Sequence, residues 1–231
     1  TELGGEIEEK NKNDFGTKAD RLSEKMITKT LMRAFPHMGI LGEEFARRGG
    51  EEEYWVIDPL DGTTNFIHEY PFIGISIAMI QRGEVSLGVV YDPLREELFE
   101  AVRGEGAFCN GERIRVSVAE DLSQALIGTG FPFNAQDYLD IYVESFKRVL
   151  PACHGIRRAG AAVLDLSHVA AGRLDGFWEL RLKPWDMAAG ALIIREAGGM
   201  VSDFFGQNGY LSSGNIVAGN PAVYKELLEI T

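Results

Sequence analysis

The segment from Phe72 to Val116 restricts the fold more than any other part of the chain. It runs through FIGISIAMI, VSLGVVYD and ELFEAV, apolar stretches separated by the turn sequences QRGE and DPLRE. Alternation at period two marks strands with one face to bury, and short turns join antiparallel neighbours. Asn110-Gly111, set between GAFC and ERIRVS, is the pair a two-residue hairpin turn favours, because both central positions need positive φ. An antiparallel meander is expected here.

The flanking regions have a different pattern. From about Lys18 to Phe35, helical spacing puts Leu22, Met26, Ile27, Leu31 and Phe35 on one face, and Pro36 ends the pattern. Short strands are expected at MGIL and YWVID, with GGEEEY as a solvated loop. Downstream, YLDIYVESFKRVL, AAVLDLSHVAAG and PWDMAAGALIIREAGG read as helices, GFWEL and GMVSDF as strands, and NIVAGN leads into a last helix, PAVYKELLEI. Strands alternating with helices suggest an α/β layer. A soft boundary between Ala119 and Ala125 separates an N-terminal unit, residues 1–122, from a C-terminal unit, residues 123–231. The chain shows no internal repeat.

Composition narrows the function classes. Hydrophobic residues make up 45% of the 231 and charged residues 25%, which is globular composition. A net charge of -12 disfavours a phosphate-backbone binder, although an acidic chain can take phosphates where metal ions supply positive charge. Cys109 and Cys153 lie far apart with no metal-ligand spacing, so a zinc site or disulfide framework is not expected and a reducing compartment fits. No apolar run reaches membrane-spanning length. The polar opening TELGGEIEEKNKNDFGTKAD reads as the middle of something, and an upstream piece is expected.

Acidic residues stand at four places where elements begin or end: Asp20, Glu43-Glu44, Asp58 with Asp61, and Asp186. Pro59 fixes its own φ and pushes Asp58 into an extended conformation, so Asp58, the Leu60 carbonyl and Asp61 can face one point. Hard divalent cations take oxygen ligands of this kind. Gly62 lets the chain approach a bound group closely, and TTNF begins a helical turn whose N–H groups can face an anion. The same residues also read as an Asp-Pro turn followed by a helix N-cap. Likewise Glu43-Glu44 reads equally as a solvated loop pair, Asp20 as the partner of Thr17 in a capping box, and Asp186 as a first-turn acid after Pro184. Singly, each position keeps both readings.

Together, GEE, WVIDPLDGTTNF and KPWDMAAGALIIREAGG, in this order and at these separations, resemble the inositol monophosphatase family, and its bacterial members most. NDFGTKAD, YDPLREELFEAVRGEGAFCNGERI and GAAVLDLSHVAAGRLDGFWE extend the resemblance along the whole chain. It implies a five-layer αβαβα sandwich of mixed α+β and α/β character. It also implies a phosphomonoesterase that uses two or three Mg²⁺ ions and is inhibited by lithium. The expected substrate is myo-inositol monophosphate, and the expected setting is a cytoplasmic homodimer with no nucleic-acid or membrane partner. By the resemblance, Glu43, Asp58, the Leu60 carbonyl, Asp61 and Asp186 are metal ligands. Glu43 and Thr63 position and activate the attacking water, and Asp20 supports a more weakly held metal. Gly62 and Thr63 offer backbone to the phosphate, with Asp61 and Asp186 also facing the substrate. Gly160, Ala161, Ala162 and Glu179 meet the alcohol portion, with Arg158 near them.

Fructose 1,6-bisphosphate, histidinol phosphate and 3′-phosphoadenosine 5′-phosphate are alternative substrates within the same superfamily, and DGTTNF favours the inositol type over the nucleotide type. A regulatory protein that keeps the fold and works through a partner surface is the reading from a different class. Two departures stand out. The further helix that family members usually carry before NDF lies outside the given sequence, where an upstream piece is expected, and Ala161 replaces the Ser or Thr of many relatives, removing one side-chain hydrogen bond to substrate. His37, His68, His154 and His168 share no ligand spacing, with His68 alone close enough to GTTNF for an outer role. Trp55, Trp178 and Trp185 read as core or pocket wall, and GEGAFCNG reads as a hairpin rather than a phosphate loop because no helix follows it.

Overall fold

The computed structural model describes residues 7–11, 14–133 and 136–231. Most of the polar opening, including Asn13 of the NDF stretch, lies outside the described residues or is described in backbone only. A small antiparallel hairpin, β1 (Ile7–Asn11) and β2 (Asp14–Thr17), leads into α1 (Lys18–Ala34). Then follow β3 (Gly39–Gly42), β4 (Glu53–Asp61) and the short α2 (Thr63–Ile67). The meander is β5 (Gly74–Gln81), β6 (Glu84–Asp92), β7 (Glu97–Val102), β8 (Gly106–Cys109) and β9 (Glu112–Arg113). The second half runs β10 (Leu126–Thr129), α3 (Leu139–Val149), β11 (Gly155–Arg157), α4 (Ala162–Ala170), β12 (Gly176–Glu179) and α5 (Pro184–Glu196). It closes with β13 (Met200–Ser202), α6 (Tyr210–Ser213), β14 (Ile216–Gly219) and α7 (Pro221–Ile230).

Strands β3 to β9 form one seven-stranded sheet in sequence order, antiparallel from β4 onward, with β3 parallel to β4. The expected hairpin is present: Asn110 and Gly111 take φ of 50° and 79° between β8 and β9. The second sheet has the order β11-β10-β12-β14-β13, with β10 parallel to both neighbours and β14 antiparallel to both of its own. Helices α4 and α5 lie between the sheets, α1 covers the outer side of the first, and α3 with α7 cover the outer side of the second. This is the five-layer αβαβα sandwich. One apolar core runs from Val90 and Phe99 of the first sheet through Leu166 and Ile193 of the middle helices to Phe177 and Ile216 of the second. Gly88 lets α5 lie directly on β6, since a β-carbon there would press on the Ala189 backbone.

Two expectations need correction. Ile27 and Leu31 do pack on Met38, Ile40, Trp55 and Ile57, but Leu22 is exposed and Met26 is 70% exposed. The sheet-facing positions of α1 hold Asp20 and Glu24 instead. Each carboxylate there accepts hydrogen bonds that offset its burial, so polar groups occupy the place that periodicity assigns to apolar ones. The strand expected at GMVSDF spans only Met200–Ser202, because the Asp203 carboxylate accepts from the Phe205 and Gln207 N–H groups and turns the chain. Among the described residues no helix is long and apolar enough to cross a membrane.

Candidate active site

The site is built outward from the end of β4. Asp58 pairs with Ser76 and Asp61 with Gly74, so three steps along β4 match two along β5. Pro59 has no N–H to give the ladder, and the extra residue makes a bulge that re-aims the side chains on either side. The Leu60 N–H donates to Asp58 Oδ1 at 3.0 Å, which fixes that carboxylate against its own turn. Parallel pairing of Gly42 with Ile57 then sets Glu43 beside Asp58, and the Glu43 N–H donates to the Ile57 carbonyl at 3.2 Å.

Three long-range contacts bring the remaining residues in. The Ser76 hydroxyl donates to the Trp185 carbonyl at 3.1 Å, which places the start of α5 beside β5. Asp186 stands in the first turn of α5, its carboxylate accepting from the Lys183 N–H at 2.6 Å. Asp61 Oδ2 accepts from the Val163 N–H at 2.8 Å, so this carboxylate caps α4 from across the molecule. Asp20 does close the capping box with Thr17. Its other oxygen accepts from the Thr63 hydroxyl at 2.9 Å, and that hydroxyl also lies 3.1 Å from the Leu60 carbonyl. Asp20 therefore closes the capping box and also holds the Thr63 hydroxyl.

Electrostatics record the convergence. Burial, followed by the charges of Glu43, Asp61 and Asp186, holds the Asp58 carboxyl well above the ordinary carboxylate range. Asp186 is raised by burial and by Asp61. Asp61 is pushed up to about 6 by burial, against the Val163 and Gly62 N–H groups and Arg158, which favour its charge. Among the described residues no three acidic, histidine or cysteine side chains already stand at metal-holding distance. The Asp58 and Asp186 carboxyls are nevertheless within hydrogen-bonding reach of each other, and a divalent cation would offset the repulsion among convergent carboxylates. Oxygen-only donors at the end of a bulged strand suit a hard cation such as Mg²⁺.

The opposite wall comes from the second half. Glu179 ends β12 and is raised well above its usual range by burial, with Arg158 opposing the rise. A β-carbon at Gly130 would overlap its carboxylate. Arg158 lies over the rings of Phe131 and Phe133, at 5.2 and 5.1 Å from their centroids. Gly160, with φ of 94°, leaves the space its guanidinium occupies, while Ala161 and Ala162 are buried at the start of α4.

Several residues of this region escaped sequence reasoning. Glu24 accepts from the Glu44 and Phe45 N–H groups at 2.8 and 3.2 Å and fills the space over Gly42, so it holds the backbone that carries Glu43. Asn65 donates to the Phe72 and Ala159 carbonyls at 2.7 and 3.0 Å, tying α2 to the strand of chain before Gly160. Asp165 is buried in α4 within range of Asp61 and Arg158. Asn65 lies within WVIDPLDGTTNF and Asp165 within GAAVLDLSHVAAGRLDGFWE, while Glu24 follows Asp20 by one helical turn. Those positions were the available signal, and the partners that give Glu24 and Asn65 their roles lie on distant parts of the chain. Of the histidines, His168 is enclosed edge-on against Phe72 and Phe99, and burial lowers it to about 4. His68 is exposed at the end of α2.

The model of the inositol monophosphatase family matches residues 1–230. A protein named Nus factor SuhB from Escherichia coli (strain K12) is 49% identical over 225 residues, covering 96% of this chain and 84% of the relative. The structure of extragenic suppressor protein suhB from Bartonella henselae superimposes with a TM-score of 0.94 at 44% identity, covering 97% of this chain and 87% of that one. Inositol monophosphatase from Anabaena gives a TM-score of 0.89 at 39% identity, covering 92% and 85%.

Proposed function

Because the chain belongs to the inositol monophosphatase family, we propose that it is a Mg²⁺-dependent phosphomonoesterase that uses water to hydrolyse myo-inositol monophosphate or a similar sugar-alcohol phosphate. The observation that carries this reading is the convergence of Glu43, Asp58, Asp61 and Asp186 from three separate elements, seen in the charges of the other three that act on Asp58 and those of Asp61 and Glu43 that act on Asp186. Phosphate monoesters hydrolyse extremely slowly unaided, so such a site has to lower a very high barrier. Two or three Mg²⁺ ions, held by those four carboxylates and the Leu60 carbonyl, would supply the positive charge that phosphoryl transfer needs.

The protein's own groups do the rest. Thr63 and Asp20 are joined by a hydrogen bond, so the hydroxyl can take a proton from the attacking water while passing its own to Asp20. Glu43, held by its backbone next to Asp58, orients that water. The Thr63 N–H is offered to phosphate, while the neighbouring Gly62 N–H lies at Asp61. Glu179, Arg158 and the Gly160–Ala162 backbone face the alcohol, with no side-chain hydroxyl at Ala161. The setting that goes with this reading is a cytoplasmic homodimer, with inhibition by lithium.

A second reading is favoured by the name Nus factor SuhB that relatives carry, a term that belongs to transcription. On that ground the expectation of no nucleic-acid partner is withdrawn, and a regulatory role through a partner surface stands beside the enzymatic one. The experiment is a comparison of kcat/KM on inositol 1-phosphate, fructose 1,6-bisphosphate, histidinol phosphate and 3′-phosphoadenosine 5′-phosphate, with and without Mg²⁺ and with added lithium. Inositol 1-phosphate should lead the panel. Folded protein that releases phosphate from none of them would end the enzymatic reading.

A further inference from the structure

The charge on α1 is strongly one-sided. Lys18, Arg21, Lys25, Lys29 and Arg33 are all exposed, whereas the two acidic residues of the helix, Asp20 and Glu24, are buried. Arg47 and Arg48 are exposed on the segment that follows β3. In a chain of net charge -12 this is a concentrated local excess of positive charge. Arg21 has Glu44 at 3.8 Å. Among the described residues Lys18, Lys25, Lys29, Arg33 and Arg48 are in ion pairs with none.

A groove of about 460 Å³ opens beside this face. Met32, Ile40, Phe45 and Ala46 give it apolar walls, and Lys25, Lys29 and Arg48 also line it, as do Thr28 and Glu24, whose carboxylate accepts from the Glu44 and Phe45 N–H groups. Met32 and Phe45 are among the large apolar side chains left exposed. Such a combination takes a ligand with two properties: an apolar group to bury and negative charge beside it.

We propose that this groove and the basic face of α1 form a docking site for an acidic amphipathic segment of a partner protein, which lays an apolar side chain against Met32, Ile40 and Phe45 and sets carboxylates against Lys25, Lys29 and Arg48. A protein segment fits better than nucleic acid on two grounds. Single-stranded nucleic acid binds through successive aromatic platforms, and the groove offers one ring among aliphatic walls. A long polyanion would also meet the acidic remainder of the surface, whereas a short acidic segment feels only the patch within a screening length. The proposal does not depend on the phosphatase reading, because none of the groups it uses is a ligand or a proton carrier there.

The test uses the whole chain and a fluorescein-labelled synthetic peptide with leucines at i, i+3, i+4 and i+7 and glutamate at most other positions, followed by fluorescence anisotropy. Saturable binding is expected, weakened about tenfold by the K25E/K29E pair and by a rise to high salt. M32S should weaken it as well, and K25R/K29R should restore it. Thermal stability and phosphate release should not change in K25E/K29E, which separates a docking defect from a folding one. Peptides with Gln for Glu, or Ser for Leu, should not bind. Absence of saturable binding, or binding that K25E/K29E leaves intact, overturns the proposal. So does tighter binding of a single-stranded RNA of equal charge, or a change of oligomeric state in K25E/K29E by light scattering, which would make the occupant a second copy of the chain.

Discussion

The two walls of the site are built by different means. The first-half wall is a product of strand register: Glu43, Asp58 and Asp61 take their places from pairing of β3, β4 and β5, and a bulge at Pro59 aims the carboxylates. The second-half wall depends on empty space: Gly130 and Gly160 lack the β-carbons that would displace Glu179 and Arg158, and Arg158 rests on two exposed rings. Ladder hydrogen bonds hold the first wall rigidly, whereas glycines and a surface loop can change without disturbing a core. The contrast suggests chemistry fixed on one side and substrate choice adjustable on the other.

The largest expected effect breaks the first wall. Asp61→Asn should lower kcat by at least about a thousandfold while the fold persists, as happens when a group acting with bound metal loses its charge. In metal-free protein the same change should leave the melting temperature unchanged or raise it, because one of several mutually repelling carboxylates is gone. Full activity in this variant would disprove the assignment.

Next comes the support beneath that wall. Glu24→Ala removes the acceptor for the Glu44 and Phe45 N–H groups, and kcat should fall by roughly 10- to 100-fold with KM nearly unchanged, the pattern of lost positioning. Glu24→Gln, which can still accept, should recover part of the rate. Equal loss in both would mean that hydrogen bonding to the loop is not the cause.

On the second wall, Gly130→Ala should raise KM about tenfold with a smaller change in kcat, since displaced Glu179 would contact the alcohol rather than the reacting phosphate. A loss confined to kcat would place Glu179 with the chemistry and abolish the contrast.

The smallest effect is in pH. Burial pushes the Asp61 carboxyl up to about 6 when folded, above its ordinary value, so the folded state holds the proton over a window where the unfolded chain has released it. Its contribution is present at low pH and is lost as pH rises through that window, so metal-free protein in EDTA should melt a few degrees lower at about pH 7.5 than at about pH 5. Added Mg²⁺ should reverse the order by competing with protons for the same oxygens. Differential scanning calorimetry at the two pH values checks both.

Much of the first half was legible in advance for a physical reason. Meander, hairpin and the Asp-Pro turn are local: period-two alternation, positive φ at Asn110 and Gly111, and the fixed φ of Pro59 act within a few residues. Legibility failed at α1. A 3.6-residue period reports which residues share a face, and it assigned the buried face to Leu22 and Met26, but burial went to Asp20 and Glu24 because their hydrogen-bond partners lie on other elements.

Sequence alone therefore determined the meander, the long helices and their order, the rigid acidic turn, the capping box of Thr17 and Asp20, and the acidic residues worth attention, but not β10 and β11, which complete one side of the second sheet. Only the tertiary structure decided that Asp61 reaches Val163, that Ser76 draws in Asp186 through the Trp185 carbonyl, and that Glu24 carries the backbone of Glu43. Propensity and periodicity describe a residue against its own element. Whether a buried carboxylate is a cap, a support or a ligand depends on what packing brings to face it from distant parts of the chain.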